Sequence, residues 1–422
     1  MMLDILMAFA KVVVIFAMVL GIVPVLIWME RKGAAYIQDR RGPNRAAILG
    51  VRLGGVIHSL ADALKLFTKE EIAASPVSKP LFYIAPMIVF FIAAVTVAVV
   101  PFAEPLNIFG YEFTLQIADL SAGLIYVFAM SSIGVYGLLI AGWSACGKYS
   151  LLGALRSAAQ MISYEVALGL SVVAIFLLSG SLKLQDIVVN QGPLVWHWNV
   201  IRQPLAFVLF MTALFAEMNR LPFDLPEGES EIVAGYHTEY SSMRFALFFM
   251  GEYVHIVVGS LIIATLFFGG WQFPFADPAV IRGNINQIIM FGWPVGGMLT
   301  LVFGWFLVSR FKRRYNDARD YEPLVFGIPA MLFAILLLMA WAGLLTRGYL
   351  GQIPQWAGDI AVFLIQLATL LAKAVFFCAF FIWVRWTLPR FRYDQLMNLG
   401  WKVMVPLGVA NIIVTAVLAL YV

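Results

Sequence analysis

The chain has 422 residues and a formal net charge of +4 at pH 7, and its side chains are 62% apolar and only 12% charged, against roughly 45–50% and about 25% for a soluble domain. With a mean hydropathy of +0.90, so much apolar surface cannot be hidden inside a water-soluble globule, and lipid must be the solvent for most of the chain. Basic residues form no nucleic-acid patch, two distant cysteines (Cys146, Cys378) exclude an iron–sulfur cluster, and four histidines (His58, His197, His237, His255) offer no pairs for a bis-histidine haem.

Apolar runs predict ten spans, at 5–29, 81–103, 120–143, 159–179, 203–219, 245–270, 286–309, 324–346, 358–384 and 402–421, since a span takes about 20 residues. The opening MMLDILMAFAKVVV lacks a basic n-region and a small-residue cleavage site, so it reads as a retained span, not a signal peptide. The fifth run is the shortest. With the N-terminus outside, the inside loops hold 22 Lys and Arg and the outside loops four, Lys11 and Lys373 falling within spans. The positive-inside rule expects that asymmetry, which puts both termini on the outer, periplasmic side. The expected fold is an all-α polytopic membrane protein, a single membrane domain over 1–422.

The first inside loop opens with MERKGAAYIQDRRGPNR, where Arg31, Lys32, Arg40, Arg41 and Arg45 flank a Gly-Pro turn. Such a juxtamembrane cluster ordinarily fixes topology or touches anionic lipid. From Leu49 the residues Leu49, Leu53, Val56, Leu60, Leu64 and Phe67 recur every three or four positions, with Arg52, Asp62, Lys65 and Lys69 off that stripe. Segment 45–70 is therefore expected to carry an amphipathic helix, lying in the headgroup plane or packed on neighbouring spans.

Glu165 (in ISYEVALG) and Glu252 (in FFMGEYVH) fall inside apolar spans, where carboxylates face a bundle interior or a water path by default. His255 shares the helix face of Glu252 and reads first as a packing histidine, while Lys373 either snorkels or faces inward. Between the fifth and sixth spans, 217–244 is an acidic inside loop holding Glu217, Asp224, Glu227, Glu229, Glu231 and Glu239 against only Arg220 and Arg244. Pro222 and Pro226 break any helix there, and irregular backbone at a membrane boundary is tolerated only where it is buried in protein or lines a wet cavity. Crowded carboxylates in such a place cannot all ionise cheaply, so they can exchange protons as a neighbouring charge changes.

Five segments carry a family likeness: MERKGAAYIQDRRGPNR, ADALKLFTKE, ALRSAAQMISYEVALG, AEMNRLPFDLPEGESEIVAGYHTEYSSMRFALFFMGEY and RWTLPRFRYDQLMNLGWK, spread from Glu30 to Lys402. In order and content they resemble the membrane-embedded H subunit (subunit 1 in mitochondria) of respiratory complex I, the proton-pumping NADH:quinone oxidoreductase. The resemblance implies a non-redox component of that translocase in the bacterial inner membrane, with quinone as substrate and no iron–sulfur cluster, flavin, haem or metal of its own. It would form most of the chamber that a quinone tail enters from lipid, and would start a chain of protonatable residues. Implied partners are the peripheral quinone-site and iron–sulfur subunits on the inner side, the small and antiporter-like membrane subunits, and the lipid bilayer.

Carried over by position, Glu217, Asp224, Glu227, Glu229 and Glu231 would be the acidic start of the relay. Glu165 and Glu252 would be its intramembrane carboxylates, with Glu239 at their edge, and Arg31, Arg40, Asp62, Lys65 and Phe67 would line or gate the quinone entrance. Two features depart from the family pattern, which has eight spans. An apolar hairpin, 286–346, is inserted after GEYVH, and the stretch from Arg45 to His58 is longer than usual, with His58-Ser59 where Gln-Pro is typical. Two other functions fit the same residues: the homologous subunit of a membrane-bound hydrogenase or ferredoxin-type complex, and a stand-alone proton-coupled transporter. The latter usually carries inverted repeats, and none is visible.

Overall fold

In lipid, backbone amides have no water to bond to, so apolar runs satisfy themselves as helices. The computed structural model describes residues 2–48, 52–73, 77–108, 111–225, 235–311, 318–346 and 354–420. In chain order these form α1 (Met2–Ile37), α2 (Ile57–Thr68) and α3 (Lys79–Val95), then the small antiparallel pair β1 (Leu106–Ile108) and β2 (Tyr111–Phe113), in which Leu106 faces Phe113. Next come α4 (Gly123–Ser144), α5 (Lys148–Ser179), α6 (Leu184–Gln191), α7 (Asn199–Arg202), α8 (Pro204–Glu217) and α9 (Ser242–Phe267). The remainder are α10 (Pro278–Gly283), α11 (Ile285–Gln287), α12 (Trp293–Ser309), α13 (Glu322–Thr346), α14 (Gln355–Thr387), α15 (Tyr393–Asn398) and α16 (Val405–Ala419). Among the described residues, nine helices are long and apolar enough to cross a membrane, α11–α12 and α15–α16 each counting as one continuous span. The fold is all-α and polytopic.

The fifth expected span, 203–219, is α8, and it is shorter than expected at 14 residues. At about 1.5 Å per residue it reaches about 21 Å, short of a hydrocarbon core of about 30 Å. Pro204 starts the helix, a position that suits proline. At its far end the buried Gln160 amide donates to the Ala216 carbonyl (2.7 Å), the Asn219 Oδ1 (3.1 Å) and the Phe223 carbonyl (2.9 Å). A side chain thus helps satisfy the Ala216 carbonyl, which a continuing helix would have bonded. Helix α5 stops at Gly180, which adopts φ +65° as a left-handed cap.

Helix α9 is the hub. It packs against α1, α3 and α14, while α5 packs against α4, α8 and α16. Of its 18 most apolar residues 72% are buried, against 11% in each of α12 and α13, so those two are peripheral. Those two pack on each other at Gly304 and Gly327, where a Cβ on either would lie 2.8–2.9 Å from the other's carbonyl oxygen. Small residues allow that approach.

Lys373 of α14 turns inward. Its ammonium donates to the carbonyls of Phe268 (2.7 Å), Gly270 (2.9 Å) and Gln272 (2.8 Å) just past the end of α9, and lies 4.5 Å from the Trp198 ring. A cation at a helix C-terminus satisfies orphan carbonyls and the dipole together. Lys373 is thus a structural cap. Lys373→Met is expected to destabilise the protein by about 3 kcal/mol, since each charge-assisted bond contributes about 1.5–3 kcal/mol and the carbonyls are left bare. A thermal-unfolding midpoint unchanged from wild type would contradict this.

Candidate functional site

Four buried segments bring charge together at one end of the bundle. Glu30, near the end of α1 and 5% exposed, pairs with Arg385 of α14 and accepts a hydrogen bond from the Tyr253 hydroxyl of α9 at 2.5 Å. Arg220, three residues past α8 and 4% exposed, reaches Glu30 at 3.6 Å and Glu252 of α9 at 3.3 Å, with its guanidinium 4.6 Å from the Tyr253 ring. Tyr236 also donates to Glu252, at 3.4 Å. Among the described residues, two carboxylates here face two guanidinium groups. Buried charges persist only when matched in this way.

Two further carboxylates reach α4 at adjacent serines. Ser131 donates to Glu217 at the end of α8, and its neighbour Ser132 donates to Glu165 of α5. Adjacent residues on a helix point about 100° apart, so the Ser131-Ser132 pair links carboxylates on two different helices. Glu217 also borders an interior cavity of about 30 Å³ that Ser131, Thr96 and His255 line. That volume holds one or two waters, for which Glu217, Ser131, Thr96 and His255 are the polar partners in an otherwise apolar lining.

The other expected site residues are dispersed. Asp224 is buried but pairs with Arg390 at 3.1 Å, and the amide of Phe391 donates to the Pro222 carbonyl at 3.0 Å. These contacts tie the 218–225 turn to the segment after α14. Glu239 is half-buried near Gly147, at the start of α5. Glu227, Glu229 and Glu231 lie outside the described residues, as does Leu49 at the head of the amphipathic stripe. Of the entrance set, Arg31 and Asp62 form an ion pair at the surface joining α1 to α2, Arg40 is exposed with its Nε 2.6 Å from Gln38 Oε1, and Lys65 and Phe67 are exposed on α2. The apolar stripe of α2 faces outward, with Leu60, Leu64 and Phe67 all more than half exposed. Among the described residues no three His, Cys, Asp or Glu side chains gather as metal ligands.

Sequence reasoning misses Glu30, Arg220, Arg385, Ser131 and Ser132. In the sequence the three charged residues look like loop charges that set topology. The available signal is position: Glu30 ends an apolar run of more than twenty residues and lies within the same helix. Serines inside spans carry no such signal, because packing uses them equally.

Beside the cluster, Tyr240 stacks on Phe82 (4.0 Å between centroids) and meets Phe248 edge-on, with its hydroxyl 3.3 Å from both the Ala141 carbonyl and Ser144 Oγ. Burial pushes the Tyr240 hydroxyl from 10.0 up to about 12. A group held protonated in this way favours folding below its unfolded value, and the contribution is lost as pH rises from about 10 through 12. Tyr240→Phe should therefore flatten the loss of thermal stability between pH 10 and pH 12; an identical alkaline profile in variant and wild type would contradict it.

A sequence model of the family described as NADH dehydrogenase matches residues 10–416. One H-type subunit (number 1) of the NADH-quinone oxidoreductase of Geobacter metallireducens is 40% identical over 413 residues, covering 98% of this chain and 96% of the relative. The corresponding H subunit from Flavobacterium psychrophilum is 38% identical over 406 residues, covering 96% and 95%, and the second H-type subunit of Geobacter sulfurreducens is 39% identical over 420 residues, covering 100% and 98%. With a family match of this length and relatives aligned nearly end to end, the chain belongs to the NADH dehydrogenase family and is a multi-pass integral protein of the bacterial inner membrane.

Proposed function

We propose that this chain is the membrane subunit of a proton-pumping NADH:quinone oxidoreductase, forming the quinone-access chamber and passing the effect of quinone reduction to proton translocation through its carboxylates. The observation that carries this is the buried Glu30–Arg220–Glu252–Arg385 cluster, which pairs carboxylates with guanidinium groups among the described residues and is shared by α1, α9, α14 and the turn after α8. A paired set of buried charges responds to any charge that appears near it, because low dielectric leaves the interaction poorly screened. The family relation supplies the reaction: every relative named above is a subunit of NADH-quinone oxidoreductase.

In this mechanism quinone is reduced on a partner peripheral subunit, and the chain itself carries no electrons. Charge arising at the inner end of the chamber biases Arg220 between Glu30 and Glu252. The change in field alters proton occupancy at Glu217 and Glu165, which Ser131 and Ser132 connect across α4, and the small and antiporter-like membrane subunits receive it. Glu227, Glu229, Glu231 and Glu239 supply acidic capacity in the inside loop, with Asp224 anchoring that loop through Arg390. Arg31, Arg40, Asp62, Lys65 and Phe67 border the quinone entrance. Both termini lie on the outer side in this reading, which the loop-charge asymmetry supports.

The test uses the purified native complex in proteoliposomes containing a pH-sensitive dye. NADH-driven, inhibitor-sensitive quinone reduction with acidification of the lumen is the expected result. Reduction by ferredoxin, or hydrogen evolution, without NADH activity would overturn it.

A further inference from the structure

The hairpin helices α12 and α13 are mostly exposed, yet the inner end of α13 is held by specific buried contacts. Glu322, the first residue of α13, pairs with Lys32 of α1, and both are at most 5% exposed. The Tyr36 hydroxyl donates to the other oxygen of Glu322 at 2.9 Å. One turn further along α13, the Phe326 ring packs 5.6 Å from that of Trp28 and covers Gly54, so closely that a Cβ there would come within 2.6 Å of the ring. Trp28 Nε1 donates in turn to the Gly54 carbonyl at 3.1 Å. Gly54 and Gly55 adopt φ +58° and +92°, a conformation cheap only for glycine, and this turn leads directly into α2.

The rest of α2 is also tied down. Ser59 Oγ donates to the Pro24 carbonyl at 2.9 Å, and Asp62 pairs with Arg31. Ser242 Oγ takes the carbonyls of Leu66 (2.9 Å) and Lys69 (2.8 Å) at the far end. His58, the residue that departs from the family pattern, accepts the backbone amides of Arg45 and Ala46 at 2.9 and 3.0 Å. The hairpin therefore supplies the clamp on the N-terminal turn of α2. A hairpin serving only as lipid anchor needs no buried ion pair, whose desolvation cost is repaid mainly in fixed geometry.

We propose that the hairpin of α12 and α13 is a buttress for the entrance helix, with Glu322 and Phe326 acting as positioning residues that set α2 against α1 for the passage of a long apolar quinone tail. This presupposes the quinone-chamber function proposed above. The test is made on the whole purified complex carrying Glu322→Gln, Phe326→Ala, or the exchange Lys32→Glu with Glu322→Lys. One readout is hydrogen exchange over 52–68; the other is KM and kcat for a long-tailed and a tailless quinone. Both single variants should exchange that segment several-fold faster and raise KM for the long-tailed quinone about 5–10-fold, with KM and kcat for the tailless one within about 2-fold. The exchanged pair should recover protection. Unchanged exchange in both single variants overturns the proposal, as does faster exchange with an unchanged ratio of the two KM values. If the wild-type complex reduces no quinone at all, the chamber function fails, and the exchange readout alone decides whether the hairpin holds α2.

Discussion

Replacing Arg220 by Met is expected to cost the folded complex about 3–5 kcal/mol and to abolish quinone reduction. Arg220 is nearly inaccessible and is the guanidinium that Glu30 and Glu252 share. Its removal takes away one positive charge and leaves buried carboxylates without that partner, inside a region where unmatched charge is costly. The Tyr253 ring, which lies against the guanidinium, also loses its cation partner. A second substitution, Glu252→Gln, takes away one of those carboxylates, so Arg220→Met with Glu252→Gln should recover most of the lost stability while turnover stays absent. Thermal unfolding of the purified complex separates the two effects. An Arg220→Met variant that unfolds at the wild-type temperature would show that the cluster does not hold these helices together.

The second large effect is expected at the serine-linked carboxylates. Glu217→Gln and Glu165→Gln preserve size and the ability to accept the Ser131 and Ser132 hydroxyls, but cannot exchange a proton. Each should reduce proton-coupled quinone reductase turnover about 10-fold or more, the scale on which loss of a positioned acid or base is felt. Oxidation of NADH by an artificial acceptor at the flavin site, which needs nothing from this chain, should remain at the wild-type rate. Ser131→Ala and Ser132→Ala should show smaller losses in the same direction. Full turnover in both Gln variants would remove Glu217 and Glu165 from the coupling path.

Hydropathy makes the helices legible because lipid imposes a strict length on each apolar run, and the loop charges then orient them. By hydropathy 203–219 is a span, the shortest of the ten, and Gln160 and Pro204 confine α8 further, to 14 residues. One of those constraints comes from a distant helix, which no local periodicity reveals. Glu165, Glu217 and Glu252 stand out as acids in apolar surroundings. Their partners do not, since Arg220, Arg385 and Glu30 come from three separate regions and look like ordinary boundary charges in the sequence. Lys373 is ambiguous in sequence for the same reason: the carbonyls it caps lie about a hundred residues away. Likewise the amphipathic stripe of α2 is clear from spacing, whereas the clamp on its first turn depends on Glu322, 290 residues from Lys32.

The most direct measurement is proton translocation per NADH oxidised in proteoliposomes of the intact complex, wild type beside Glu252→Gln. Glu252 is the carboxylate that joins the charged cluster to the central helix α9. Wild type should acidify the lumen, and Glu252→Gln should show slowed quinone reduction with diminished acidification while flavin-site oxidation stays intact. Wild-type pumping and quinone turnover by Glu252→Gln would contradict a coupling role for the cluster.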